Sequence, residues 1–252
     1  MLLRIDSTTT QQGMSAIRQH EFRPLAYASG GSLSMARTTF APAEARCGGT
    51  DRRDVLVKRL SDIVLALAFL TLAGLPMLLI AAAIRLTSKG PALFRQERIG
   101  LHGKRFVMLK FRTMLDVPAV PGSWRQVTRD DPRVTRVGAW LRHSSLDELP
   151  QLLNVLGGSM ALVGPRPHAP NTCVGGRPFE ALSHRYADRH RVKPGMTGLA
   201  QVRGWRGETD TEEKLLRRVD SDLEYIAHWS IGADLLIICR TIATVLRMPN
   251  AY

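Results

Sequence analysis

Lys58-Arg-Leu-Ser-Asp62-Ile-Val-Leu-Ala-Leu-Ala-Phe-Leu70-Thr-Leu-Ala-Gly74-Leu-Pro76-Met-Leu-Leu-Ile80-Ala-Ala-Ala-Ile84-Arg85 is the stretch that decides the fold. From Ile63 to Ile84 it carries no charge. A helix of about 20 apolar residues is enough to cross the hydrocarbon of a bilayer. Gly74 and Pro76 sit near the middle. A proline there removes a backbone hydrogen bond and bends a helix. Both flanks are basic, with Lys58 and Arg59 before the run and Arg85, Lys89 and Arg95 after it. Lys and Arg favour the cytoplasmic side of a membrane. A helix that enters, breaks at Gly74–Pro76 and returns to the same face satisfies both flanks. A spanning helix with a tolerated kink is an equal reading. A buried helix of a soluble core fits this length less well.

Outward from this run the chain changes character. Residues 1–54 are rich in Ser, Thr, Gly, Ala and Arg and show no sustained apolar period. They read as a polar, disordered tail, or else as a basic arm held at a membrane. They lack a basic region followed by an apolar run, so no secretory signal peptide is expected. The domain plan is therefore a tail at 1–54, a membrane helix at 55–88 and a catalytic domain at 89–252. The chain has 252 residues and a formal charge of +13, which calls for an anionic partner: nucleic acid, an acidic membrane or a phosphorylated substrate. No helix-turn-helix is recognisable and aromatics are only 6%, which argues against nucleic acid. Cys47, Cys173 and Cys239 form no CxxC pair, so neither a disulfide framework nor a zinc site is expected.

Past Lys89 the pattern is mixed. Phe106–Arg112 reads as a strand, and Thr113–Asp131 as a mobile loop. Val134–His143 and Leu146–Leu156 read as helices. Pro165–Pro178 and Pro194–Gly198 read as connections. Thr209-Asp-Thr-Glu212 reads as a capping box opening a helix with Leu215, Val219, Leu223 and Ile226 on its inner face. Ile231–Leu246 is apolar but interrupted by Asp234 and Arg240, which suits either the membrane interface or the core. The fold expected is α+β and mainly helical. It has one Pro-broken membrane helix, a small β element and interfacial amphipathic helices.

The chemistry is expected in Ser145-Leu-Asp-Glu-Leu-Pro-Gln-Leu-Leu-Asn-Val-Leu156 and in Val163-Gly-Pro-Arg-Pro167. Ser145 and Glu148 form a Ser-x-x-Glu capping box, which opens a helix at Ser145 and gives Glu148 a structural role. Asp147 lies in the first turn without such a role, where free N–H groups and the helix dipole favour anions. An acid that merely complements the dipole is the bland alternative. Arg112 ends the strand, Arg142 precedes the pair, and Arg166 is fixed between two prolines. Arginine presents a planar fork to phosphate oxygens. Three arginines near two carboxylates suit a diphosphate substrate. Such a site suits Mg²⁺ on Asp147 and Glu148. A carboxylate can also attack phosphorus to form an aspartyl-phosphate. These residues leave the role of Asp147 open.

The chain resembles the bacterial sugar transferases, also called polyprenyl-phosphate hexose-1-phosphate transferases or monotopic phosphoglycosyl transferases. The likeness covers about three quarters of the sequence. It rests on Lys58-Arg-Leu-Ser-Asp62, Gly90-Pro91, Gln96-Glu-Arg-Ile-Gly100, Lys110-Phe-Arg-Thr-Met114, Ser145–Leu152, Val163–Pro167 and Lys193-Pro-Gly-Met-Thr-Gly198, in that order. The resemblance implies transfer of sugar 1-phosphate from a UDP-sugar to undecaprenyl phosphate with release of UMP, beginning exopolysaccharide or capsule synthesis. It implies Asp147 as nucleophile, Glu148 assisting with Mg²⁺, and Arg112, Arg142 and Arg166 as phosphate-binding cations. It also implies a helix broken at Pro76, in the inner membrane with the catalytic part in the cytoplasm. Gly204–Thr211 resembles the glucose branch, so UDP-glucose is the expected donor; UDP-galactose, an N-acetylhexosamine donor and an inactive scaffold are the alternatives. The polar start suggests a minimal catalytic form, and a homodimer is one open assembly. Two departures stand out: Ser159 where the family usually has an acid, and Ala161 in place of a common serine. A missing carboxylate is expected to weaken metal binding or helix packing.

Overall fold

The computed structural model describes residues 52–115, 131–207 and 209–247. The tail and the interior of the Thr113–Asp131 loop lie outside the described residues.

Helix α1, Arg52–Thr87, holds the apolar run. It is long and apolar enough to cross a membrane, and only 6% of its apolar stretch is buried. Helical structure continues across Gly74 and Pro76, so the expected break does not divide the segment into two separate helices. One proline removes one N–H; the turns on either side keep theirs. Both ends of α1 dock on the same domain. Near its start, Arg59 donates to the carbonyls of Val155 (2.6 Å) and Leu156 (2.7 Å), and Asp62 accepts the Leu162 N–H (3.0 Å). Ala66 packs beside Leu152, Val155 and Met160. Near its end, Ile80 and Ile84 pack with Phe111 and Leu141. Between these ends Leu72, Leu75, Leu78 and Leu79 are exposed, Leu72 to 81%.

Strand β1, Leu93–Ile99, pairs antiparallel with β2, Arg105–Phe111, in the register Leu93↔Phe111 to Ile99↔Arg105. The expected strand is thus present, with a partner its imperfect alternation did not announce. Helix α2, Arg136–His143, is capped by Thr135, whose hydroxyl accepts from Gly138 N at 2.9 Å.

The expected helix from Ser145 is not continuous. Leu146–Glu148 is a 3₁₀ turn, and α3 spans Gln151–Leu156. Ser145 has φ 58°, a left-handed conformation that an N-cap does not adopt, and makes no side-chain cap. Its N–H already donates to Arg142 O (3.2 Å), so the reciprocal half of a capping box has no donor. Pro150 then restarts the helix as N-cap of α3.

The Pro/Gly-rich connections also hold strands. β3, Ala161–Val163, pairs parallel with a later strand, Gly195–Thr197. Between them come the small hairpin β4 (Cys173–Val174) and β5 (Arg177–Pro178), helix α4 (Phe179–Leu182), and a 3₁₀ segment, Tyr186–Arg191. Gly195–Thr197 is then β6. A Cβ on Gly195 would lie 2.1 Å from Gly164 N, and one on Gly164 would lie 2.6 Å from Lys193 O. Glycine at both positions lets the backbones meet where Pro165 begins.

Three helices close the fold: α5 (Leu199–Val202), α6 (Glu212–Ala227) and α7 (Ile231–Arg247). Thr211, not Thr209, caps α6 by accepting from Lys214 N (3.3 Å). Thr209 instead accepts from the Arg218 guanidinium. Leu215 and Val219 are buried as the helical spacing implies. Asp234 does not interrupt α7. It is buried, accepting from Tyr225 (2.8 Å) and Trp229 (3.2 Å) and pairing with Lys58 (2.8 Å).

Candidate functional site

Asp147 and Glu148 stand on the 3₁₀ turn between α2 and α3, against β2 and the Gly164–Pro167 loop. Lys110, from β2, places its Nζ 2.7 Å from Glu148 Oε1 and 3.9 Å from Asp147 Oδ2. Arg166 grips Glu148 with both ends of its fork, Nη1 donating to Oε2 at 3.0 Å and Nη2 to Oε1. Two-pronged pairing of this kind is strong and directional. Glu148 is therefore no helix cap: two cations hold its carboxylate. Asp147 is 7% exposed and accepts no hydrogen bond from any described residue.

The two acids diverge electrostatically. Burial pushes Asp147 up to about 6, against the pull of Lys110; the neighbouring charge of Glu148 adds to the rise, while Arg166 and Arg142 oppose it. Burial would also raise Glu148, but Arg166 and Lys110 outweigh it and hold that carboxyl well below the usual carboxylate range. The pair thus consists of a permanently ionised Glu148 and an Asp147 that ionises near neutrality. A desolvated carboxylate with no donor on it is poised to share its lone pair.

The arginines separate. Arg166 and Arg142 act on the pair, Arg142 from α2 with its Nε on Thr113 Oγ1 at 2.9 Å. Arg112 is 6% exposed, with its Nη2 donating to Ser88 O (3.0 Å) and Ser88 Oγ (2.8 Å) beyond the end of α1 and its Nε and Nη1 buried without a hydrogen-bond partner among the described residues. Lys110 joins Arg142 and Arg166 as a cation beside the two acids. The period of β2 carried a signal for this: Lys110 shares a face with buried Met108, and a lysine on an inward face needs an anion. Arg206 is a further residue that sequence reasoning passed over. Its Nη2 lies 3.5 Å from Ser145 Oγ, bringing the Gly204–Thr211 segment to the site. Ser159 lies elsewhere. Its hydroxyl bonds Asn154 (3.2 Å), whose amide ties α3 to Leu109 N and Val107 O of β2. The serine therefore supports packing and takes no carboxylate away from the pair.

No cluster of three or more His, Cys, Asp or Glu suited to a metal occurs among the described residues. Mg²⁺ does not require one, since it binds through one or two carboxylates and completes its shell with substrate phosphates and water. Asp147, on which no described residue donates, and Glu148 match that donor set.

Residues 53–248 match the family model described as bacterial sugar transferase. The chain is 50% identical over 200 residues to an undecaprenyl-phosphate glucose phosphotransferase of Komagataeibacter xylinus, covering 79% of this chain and 37% of that protein. It is 50% identical over 187 residues to the UDP-glucose:undecaprenyl-phosphate glucose-1-phosphate transferase of Escherichia coli K12, covering 74% and 39%. The exopolysaccharide production protein PSS of Rhizobium leguminosarum is 46% identical over 200 residues, covering 79% of this chain and all of that protein. The chain spans less than two fifths of the length of the first two of these curated relatives.

Proposed function

The chain belongs to the bacterial sugar transferase family, and from that premise we propose that it moves glucose 1-phosphate from UDP-glucose to undecaprenyl phosphate and releases UMP. This would be the initiating step of exopolysaccharide synthesis. One observation carries the reading: Asp147 is buried, accepts no hydrogen bond from any described residue and ionises near neutrality beside a Glu148 that two cations hold ionised.

The reaction runs in two displacements. An Asp147 carboxylate oxygen attacks the β-phosphorus, a bond from aspartate to phosphorus forms, and the bond from that phosphorus to UMP breaks. The phosphate oxygen of the lipid then attacks the same phosphorus, the aspartyl bond breaks, and Asp147 is restored as carboxylate. Lys110 and Arg166 keep Glu148 charged and, with Arg142, set a positive field for the diphosphate. Mg²⁺, held by Asp147 and Glu148, would supply neutralisation of the diphosphate charge. Trapping is the direct test: incubation with UDP-glucose and no lipid should add a hexose phosphate to the peptide bearing Asp147. A panel of UDP-sugars names the donor by which sugar is trapped. An adduct on another residue, or none from any donor, would overturn the reading.

The same reading sets α1 in the inner membrane as a re-entrant helix bent at Gly74–Pro76, with the catalytic domain in the cytoplasm. Its support is that both ends of α1 dock on one domain while the leucines between them are bare, and that both flanks are basic. The exposed Ile231, Leu235, Leu236 and Ile242 of α7 suit the interface. Cysteines introduced just before Lys58 and just after Lys89 should label from the same side; labelling from opposite sides would make α1 a spanning helix.

A further inference from the structure

Pro165-Arg-Pro-His168 contains two residues without an N–H, so its carbonyls are the main handles by which the backbone can be held. Each is taken. Gly195 N donates to Pro165 O (3.0 Å), Arg98 Nη1 to Pro167 O (3.5 Å) and Ile99 N to His168 O (3.0 Å). The remaining carbonyl, Arg166 O, is held by Arg189 Nη2 at 2.8 Å. Arg189 is 2% exposed and is itself fixed from α6, its Nε (3.0 Å) and Nη2 (2.6 Å) both donating to Asp222 Oδ2. Asp222 is equally buried. The His168 imidazole, and at longer range the Tyr186 hydroxyl, meet Nη1.

A buried ion pair is a poor source of stability, because desolvating both charges offsets their attraction. Two apolar side chains would join the 3₁₀ segment to α6 as well. They would not donate a hydrogen bond to Arg166 O, and lysine could not span both acceptors with one planar fork. We propose that Arg189 and Asp222 are positioning residues, a buried clamp that fixes the backbone at Arg166 so that its guanidinium stays on Glu148. The catalytic half of this inference rests on the transferase reading; the structural half does not.

Arg189→Lys keeps the charge facing Asp222 and loses the fork. In the full-length membrane-bound protein, UMP release from UDP-glucose should fall about 10- to 100-fold, the usual range for residues that orient a site at one remove. Placed on an Arg166→Ala background, the same substitution should cause no further loss, because the clamp acts only through Arg166. A full additional loss there, or no loss on the wild-type background, would overturn the proposal. Asp222→Asn, which keeps the shape of the side chain, should show the same non-additivity and decides the matter if the lysine variant does not fold. Hydrogen exchange at Gly164 and Gly195, whose bonds flank the clamped carbonyl, reads the clamp without activity and should accelerate in both variants. Faster exchange in a protein whose wild type releases no UMP would refute the transferase reading and keep the clamp. Unchanged exchange would refute the clamp whatever the activity.

Discussion

Lys58 and Lys110 each lie between two carboxylates. Lys58, near the start of α1, sits 2.9 Å from Asp62 and 2.8 Å from Asp234. Both acids have further donors: Leu162 N on Asp62, and Tyr225 and Trp229 on Asp234. Lys110 sits 2.7 Å from Glu148 but 3.9 Å from Asp147. Glu148 also has Arg166, whereas Asp147 accepts no hydrogen bond from any described residue. The first cluster is complete and staples α1 to β3 and α7. The second leaves one carboxylate uncommitted. Fully satisfied networks rigidify a core, while a largely buried acid with a raised pKa and no protein donor among the described residues is a candidate reactive group.

The contrast can be broken by experiment. Asp147→Asn should lower UMP release by about 10⁴-fold or more, the scale of losing a nucleophile, with fold and membrane binding intact. Turnover near that of the wild type would end the distinction between the clusters. Lys110→Met should slow turnover by about 10²–10³-fold, as loss of one preorganised charge at a site does; steady-state kinetics with UDP-glucose would show it. Asp62→Asn should do the reverse. It breaks a largely buried pair, at the low end of the roughly 3–5 kcal/mol such breakage costs, yet leaves turnover per folded molecule in place.

Asp147 should also cost stability at neutral pH. Its carboxyl is raised to about 6 in the fold, so the folded state favours the protonated form. The stability this confers is fully present below the unfolded value near pH 4 and is lost as pH rises through about 6. Asp147→Asn imitates the protonated acid and should therefore unfold at higher urea than wild type at pH 7, by about 3 kcal/mol, with the gap closing toward pH 4. A chelator keeps metal from the comparison. An unchanged gap across that range would show that burial does not perturb Asp147. The smallest effect is expected at Tyr225→Phe, which removes a hydroxyl from Asp234 and Val163 O and should cost about 1 kcal/mol with no change in turnover.

Local chemistry made some elements legible in the sequence. Strand β2, helix α2 and the inner face of α6 follow from periodicity, and the basic flanks and apolar run of α1 follow from composition. Other elements depend on distant partners. Gly195–Thr197 reads as a turn because nothing near it in sequence shows that β3 will pair with it. Ser145 and Glu148 have the spacing of a capping box, but α2 claims the Ser145 N–H, and Lys110 and Arg166 claim the Glu148 carboxylate. Thr209 loses its place as a cap in the same way, to Arg218. At Glu148 and Thr209 a charged side chain from elsewhere in the sequence took the place of the local cap, as charge-assisted hydrogen bonds do.

The sequence by itself showed one apolar helix long enough to cross a membrane, the adjacent acids Asp147 and Glu148 as the expected reactive pair, and Arg142 and Arg166 as the cations expected beside them. Those features are local or compositional, and composition is independent of how the chain folds back. Only the tertiary structure decided that Lys110 stands between the two acids, that Glu148 is held by ions and not by a helix end, and that Asp147 accepts no hydrogen bond from any described residue. Which of two adjacent acids is satisfied depends on groups that fold in from β2 and the Gly164–Pro167 loop, and the free energy of a buried charge is set by those neighbours and not by its place in the chain.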